Sequence, residues 1–400
     1  MATFKYIAMD SSGKKVKGTD TAEDRNILIQ QLRSKGFMIL EIQEDTAKNL
    51  QNPFEKIKIK DLAVFCRQFH TLISAGSTII GSLDVLRMQT EKKKFKEIIH
   101  TIYEDVQKGL VFSEALKRHP NCFSDLMVSM VEAGEYSGNL DIIMERMAQY
   151  YEKEYKLKNK IGGAMVYPIV LTFMATSVVS FLMVFIMPTF VELFTSSGVK
   201  LPLVTRILLS ISTFLKSYWY IVIGGVALFA YGLSKYLKQG EGLIAFDKLK
   251  ITAPIIGSLN KKIITARFAR TMAILLGSGA SVINSIEIVS NVLGNSIVKE
   301  KLMHAREDMR KGMTISNSIS TMNFFTPMVI SMVRIGEESG ELDLILDKTA
   351  NFFDDEVETA LHKMIVMIEP LLIVVMGGMV GFIVMAMMLP LFDIMKTVQN

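Results

Sequence analysis

Apolar positions along the chain follow three spacings. From Met1 to Glu44 they alternate. TFKYIAMD and KVKGTD read as strands about a Ser11-Ser12-Gly13 turn, Ala22–Lys35 carries Ile27, Leu28 and Leu32 at helical spacing before Gly36, and FMILEI closes as a strand. This predicts a small ββαβ module over 1–44, too short to bury much on its own, and a polar linker over 45–60 containing Pro53. From Asp61 the spacing turns helical. Leu62, Phe65, Phe69, Leu72 and Ile73 form one stripe ending at Ala75-Gly76; Phe95, Ile98, Ile102 and Val106 form another ending at Gly109; Leu126, Met127, Met130 and Val131 form a third. About six helices are expected over 61–160, packed as a compact antiparallel bundle.

The third pattern is continuous apolarity. Lys160 to Glu192, Lys216 to Lys235 and Glu369 to Asp393 each enclose no Asp, Glu, Lys or Arg. About 20 apolar residues cross a bilayer, so spans are expected at 164–190, 217–234 and 366–391. The shorter middle window is bracketed by Tyr218-Trp219-Tyr220 and Tyr231, as an aromatic belt would be. The fold class that follows is a mostly α, polytopic membrane protein with the small ββαβ module, two homologous cytoplasmic helical bundles and three transmembrane helices. An external loop is expected over 191–216, the second bundle over 240–363, and an external tail over 392–400.

The second bundle is expected because the chain repeats itself. Gly134, Glu135, Ser137, Gly138, Leu140 and Asp141 recur 202 positions later as Gly336, Glu337, Ser339, Gly340, Leu342 and Asp343. Pro168 recurs as Pro370 and Pro188 as Pro390. FCRQFHTLISAGSTII (65–80) recurs as FARTMAILLGSGASVI (268–283), with Arg67 matched by Arg270 and Gly76 by Gly279. Each bundle precedes its own span in the same direction, so both can share one side of a membrane only if the chain crosses back between them. The unpaired window 217–234 would do that. The stretch before it, LPLVTRILLSISTFLK, is amphipathic enough to lie along the outer interface.

Charge orients this layout. Lys153, Lys156, Lys158 and Lys160 precede the first span and Lys235, Lys238, Lys248 and Lys250 follow the second, whereas 191–216 holds only Lys200, Arg206 and Lys216. Lys/Arg asymmetry keeps the flanks inside, predicting a cytoplasmic N-terminus and an external C-terminus; the resemblance given below implies the bacterial inner membrane. Met1–Lys17 has neither the apolar core nor the cleavage site of a secretory signal. Cys66 and Cys122 lack cysteine partners in the repeat, so they read as small buried residues in a reducing compartment.

The G-E-x-S-G-x-L-D motif reads first as a helix–turn–helix corner. Gly134 and Gly336 permit close approach, Gly138 and Gly340 supply positive φ, and Asp141 and Asp343 favour the next helix's start. Glu135 and Glu337 are harder to explain by helix mechanics. The functional alternative is a docking surface or a cation site in which Glu135 and Asp141 converge on Ca²⁺. Arg67 and Arg270 should each find a carboxylate, the motif Glu of their own copy being one candidate. Glu369, beside Pro370, is the carboxylate abutting a span; it either snorkels to water or contacts another helix. Gly377 and Gly381 have a spacing that permits close helix packing. No phosphate loop, HExxH or GxSxG is present, so no catalytic residue, cofactor or nucleic-acid role is assigned. A carrier or channel subunit is a distant alternative, since no mid-span charge marks a path.

The doubled F-x-R-x-x-x-x-L-x-x-x-G and G-E-x-S-G-x-L-D motifs, the prolines entering spans one and three, and the three-span layout resemble one family: the inner-membrane platform proteins of type IV pilus and type II secretion machines. The second copy departs from the first at Thr271 (Gln68) and Gly277-Ser278-Gly279. The resemblance implies a homo-oligomeric machine part without chemistry of its own. Its partners would be a hexameric cytoplasmic assembly ATPase, with a retraction ATPase as a further candidate, pilin or pseudopilin subunits, and other inner-membrane components. The pilus is favoured over the secretion machine. The polar helix Leu140–Lys160 would be the lever, with Gly162-Gly163 a candidate hinge.

Overall fold

The computed structural model describes residues 2–9, 15–22, 29, 36–44, 56–190, 203–237, 240–254 and 256–398. Strands β1 (Ala2–Met9), β2 (Lys15–Ala22) and β3 (Met38–Glu44) form an antiparallel sheet of order β2-β1-β3, with a register shift at Ile7/Ala8. The helix expected between β2 and β3, and most of the linker, fall outside the described residues.

The rest is helical. The first bundle contains α1 (Ile59–Ser74), α2 (Ile79–Gln89), α3 (Lys93–Gln107), α4 (Phe112–Lys117) and α5 (Asp125–Ser137), and α6 begins at Leu140. The breaks between them follow turn chemistry. Gly76 and Gly109 sit at φ 86° and 96°, where a side chain would be strained, and Thr78 and Ser124 cap α2 and α5 with their hydroxyls.

The α6 helix runs unbroken from Leu140 to Phe181 through Pro168, then continues through a π-turn over Leu182–Ile186 just ahead of Pro188. Proline cannot donate into the helix ladder, and the widened turn leaves Met183 O to accept the Ser212 hydroxyl at 2.5 Å. Gly162 and Gly163, the candidate hinge, lie inside this continuous helix and do not break it.

Helix α7 (Leu203–Tyr236) contains the expected middle span and also residues 203–216, which were expected to be part of an external loop. It departs from helical geometry only at Tyr218. Its first half is packed rather than free: Thr205 donates to Ala386 O at 2.7 Å, and Leu208 joins Met183, Met187, Ile383 and Ala386 in a small apolar cluster. After α8 (Gly240–Thr252) the first bundle is redrawn, as α9 (Ile256–Gly277), α10 (Val282–Val292), α11 (Ser296–Arg310), α12 (Ile315–Ser320) and α13 (Pro327–Ser339). Helix α14 then runs from Leu342 to Val398. Among the described residues two helices are long and apolar enough to cross a membrane, Leu140–Phe190 and Leu342–Met388.

One apolar core runs through both bundles, from Leu62 to Phe353. In the first its centre is aromatic: Phe69 and Phe112 stack at 5.1 Å, and Phe65 meets Phe95 and Phe123.

Candidate functional site

The motif residues take up two matching corners. A Cβ on Gly134 would lie 2.9 Å from Ile143, and one on Gly336 would lie 2.9 Å from Leu342. Each glycine therefore lets the next helix close against its own. Gly138 and Gly340 end α5 and α13 at φ 72° and 75°. Between them, Glu135 reaches back to the start of α4 and accepts the Phe112 and Ser113 amides at 2.8 and 3.1 Å. Glu337 does the same for Ile315 and Ser316, at 2.7 and 3.1 Å, and also takes the Ser316 hydroxyl at 2.9 Å. The first amides of a helix have no intrahelical acceptor, and a carboxylate there also meets the positive end of the helix dipole. The motif glutamates thus tie short helices to the corners.

This corrects two expectations. Glu135 spends both oxygens on amides rather than on a cation shared with Asp141. Asp141 lies in the first turn of α6, with its carbonyl 2.9 Å from His70 Nδ1. Among the described residues no group of three or more His, Cys, Asp or Glu is placed to hold a metal ion. Nor do Arg67 and Arg270 pair with the motif glutamates. Arg67 donates twice to Glu152, at 2.9 and 3.0 Å, and that bond is the main cause holding its pKa above the usual value. Arg270 pairs with Asp354, which stands 202 positions after Glu152. Each copy thus binds its first helix to its long helix by the same ion pair. Glu135 and Glu337 were already committed to amides, so the arginines found partners one helix further on.

A second set of contacts belongs to no single copy. Helices α6 and α14 lie side by side, and between them a polar seam joins the bundles. Arg267 of α9 donates to both oxygens of Glu154 of α6, at 3.1 and 2.9 Å, and the Glu154 side chain is only 10% exposed. Burial works against the charged guanidinium, but Glu154 more than offsets it, so the Arg267 pKa is raised. Beside this pair, burial and then the Glu154 charge push the Tyr150 phenol up to about 12. Along the same line Lys153 donates to Asn351 at 2.6 Å and Lys160 pairs with Glu358 at 2.5 Å.

The seam also admits Arg146, which passes so close to Gly277 that a Cβ there would lie 2.5 Å from its Nη1 and 3.3 Å from the Asp343 carboxylate. Gly279 turns the chain just beyond, at φ 85°. Farther along, Tyr167 donates to Glu369 at 3.2 Å, so Glu369 contacts its own repeat counterpart on the neighbouring long helix. By contrast, among the described residues a Cβ on Gly377 or Gly381 would meet nothing within 4 Å, so their spacing serves no close packing there. Pro370 and Pro390 both lie inside α14.

Sequence reasoning located the corners and missed the seam. The corners repeat, whereas Arg267 stands where the first copy has Val64, and Glu154 is one of many charges on a polar stretch. Mechanically, the arrangement couples two bundles to each other and each to an apolar helix.

Comparison with known proteins agrees with the doubling. The family model described as type II secretion system (T2SS), protein F, matches residues 65–188 and again 268–390, and the model of that protein's N-terminal domain matches 1–43. The type IV pilus assembly protein PilC of Thermus thermophilus is 40% identical over 99% of this chain and 99% of its own length. The type IV pilus assembly protein TapC of Aeromonas hydrophila is 35% identical over 98% and 95%. The type II secretion system protein F of Vibrio cholerae is 31% identical over 98% of both.

Proposed function

The chain belongs to the family of type II secretion system protein F, and from that premise we propose that it is the inner-membrane platform of a type IV pilus machine. In this reading it couples a hexameric cytoplasmic ATPase to the passage of pilin subunits from the membrane into the fibre. The observation that carries it is the continuity of each bundle with an apolar helix. Helices α6 and α14 leave their bundles without a break and enter the apolar stretches, and Arg267–Glu154 joins the bundles at the point of departure. A push on either bundle reaches both helices, because the joining contacts are packed side chains and the largely buried Arg267–Glu154 pair rather than a loop. The topology proposed with it has three crossings, α7 returning the chain so that both bundles face the cytoplasm. The lysines ahead of the first span and after the second support that direction.

The pilus is preferred to the secretion machine because identity to the Thermus PilC, 40%, exceeds that to the Vibrio secretion protein F, 31%. The secretion platform is the second reading, supported by the near-complete coverage of that relative. Deleting the protein and scoring surface fibres against secreted enzymes separates the two. Loss of enzymes with fibres intact would reverse the preference. Lys96 and Lys299 are exposed repeat equivalents, and Lys96→Cys and Lys299→Cys test the topology. An impermeant thiol reagent should reach neither in intact cells and both in opened ones; labelling of only one in intact cells ends the three-crossing layout.

A further inference from the structure

Helix α7 is fastened at both ends. Its outer part, ahead of the departure from helical geometry at Tyr218, lies across the two long helices. Thr205 donates to Ala386 O of α14 at 2.7 Å, Ser212 donates to Met183 O at the end of α6 at 2.5 Å, and both hydroxyl residues are buried. From Thr205 to Ser212 the helix rises about 10 Å, and the axes of two packed helices lie about 8–10 Å apart. One segment of α7 therefore bridges the pair.

The inner end is fastened through α8. A Cβ on Gly242 would collide with the Tyr236 carbonyl and lie 2.9 Å from the Tyr236 ring, so the start of α8 rests directly on the end of α7. Asp247, 2% exposed, then ties α8 to α11. Its carboxylate accepts the Ser296 amide and hydroxyl at 2.9 Å each, and Asn295 donates to its carbonyl at 3.1 Å. Asn295 also accepts the Ile297 and Val298 amides at 3.1 Å each, so the residue that caps α11 holds α8 as well. Toward α9, Asn260 donates to Lys250 O at 3.0 Å, and a Cβ on Gly257 would lie 2.8 Å from Ile251 O. Burial works against the Asp247 charge, but Lys250 and Ser296 outweigh it and hold the pKa below the usual carboxylate value.

We infer that α8 is a bracket through which the second bundle drives α7 as a third rod, and that Asp247 is the residue that positions it. The inference rests on the platform reading above and deepens it by adding the returning helix to the parts that move. A bracket is needed because α7, unlike α6 and α14, does not run on into its bundle as one helix; α8 begins anew at Gly240, at φ 56°. Three rods joined to the bundles inside and to one another outside form a closed frame. A turn of the second bundle then displaces α7 against α14, and the Ser212–Met183 bond carries the displacement to the end of α6. The buried carboxylate suits this task, since it meets the orphan amides and the positive end of α11 at one fixed point.

The test uses the full-length protein in detergent and a strain deleted for it. Spin labels on Lys235→Cys of α7 and Lys299→Cys of α11 report the distance from rod to bundle; labels on His362→Cys of α14 and Lys299→Cys report the same bundle against the other rod. The native Cys66 and Cys122 are buried and stay unlabelled. Asp247→Ala should broaden the first distance distribution and leave the second as it is. In cells, at equal membrane levels, Asp247→Ala should lower whichever product the deletion strain lacks, fibres or secreted enzymes, at least about fivefold, the low end of a coupling between sites. If Asp247→Ala does not accumulate, Asn260→Ala frees the other side of α8 and is read by the same two label pairs and the same product, with the same expectations. An unchanged first distribution, broadening of both, or full product from the variant overturns the inference and leaves the platform reading standing. A deletion strain that lacks neither fibres nor enzymes removes both.

Discussion

The first bundle is built around rings and the second around branched chains, although the same helices carry both. Phe69, Phe95 and Phe112 of the first become Met272, Val298 and Ile315 of the second, while Phe65, Phe123 and Tyr151 keep aromatic equivalents, in Phe268, Phe325 and Phe353. The glycine turns that end the shared helices, and the glutamate ties, did not drift in this way. Positive-φ glycines end the same helices in both, and Glu135 and Glu337 hold the same pair of amides. The contrast has a physical source. A core accepts volume-conserving exchange in several combinations, whereas a left-handed turn accepts little but glycine and an orphan amide needs an acceptor at one place.

The largest effect expected from this contrast lies at the ring stack. Phe69 is fully buried and lies parallel to Phe112 at 5.1 Å, so Phe69→Ala should cost about 3–5 kcal/mol. Met272→Ala, at the flexible equivalent, should cost about 2–5 kcal/mol and fall below it. Melting of the purified protein measures both. A larger loss at Met272 would mean that the second core, not the first, carries the tighter packing.

Next comes the ion pair that both copies share. Arg67 and Glu152 are 40% and 39% exposed, whereas Arg270 is 3% exposed against Asp354. A solvent-exposed pair contributes about 0–1 kcal/mol; removing one partner of a buried pair costs about 3–5 kcal/mol because the other charge is left desolvated. Arg270→Met should therefore destabilise by about 3 kcal/mol, reduced toward the low end by the one-third exposure of Asp354. Arg67→Met should change stability by about 1 kcal/mol or less. Equal shifts in melting temperature would show that burial does not set the difference.

The glutamate caps should behave alike. Glu135→Ala and Glu337→Ala each leave two helix-start amides without their acceptor, a loss of about 1–2 kcal/mol. Their near equality is the informative result. A clear excess at Glu337, which also holds the Ser316 hydroxyl, would measure what that third bond adds.

What could be read along the chain follows the same division. Stripes such as Leu62–Phe65–Phe69 placed the helices, and the doubled G-E-x-S-G placed both corners, because local spacing and repetition carry that information. The partners of Arg67 and Arg270 were not legible. Glu152 and Asp354 lie more than 80 residues away along the chain, and only the packing of α1 on α6 and of α9 on α14 selects them from the acidic residues near by. The Arg267–Glu154 seam was hidden for a stronger reason: it exists only between copies, where repetition gives no hint. The packing of α8 was hidden because the copies match only from Phe65 and Phe268 onward, so repetition says nothing of the segment before them.

That packing provides the smallest and most selective expectation, an acid response confined to the second bundle. Asp247 is held ionised by Lys250 and Ser296 against its own burial, and its folded pKa lies below the ordinary 3.8. A group with a depressed folded pKa stabilises the fold above its unfolded pKa, and the contribution disappears as pH falls through the folded value. Asp247→Asn removes the charge at every pH. The stability gap between wild type and Asp247→Asn should therefore be constant from about pH 7 to about pH 5 and narrow as pH falls below the ordinary carboxylate range. Melting temperatures of the two proteins across that range measure the gap. If it stayed constant down to about pH 2.5, Asp247 would be holding α8 by shape and neutral hydrogen bonds alone. The carboxylate at the start of α11 would then carry no electrostatic weight, and α8 would be held on the second bundle by packing and neutral hydrogen bonds.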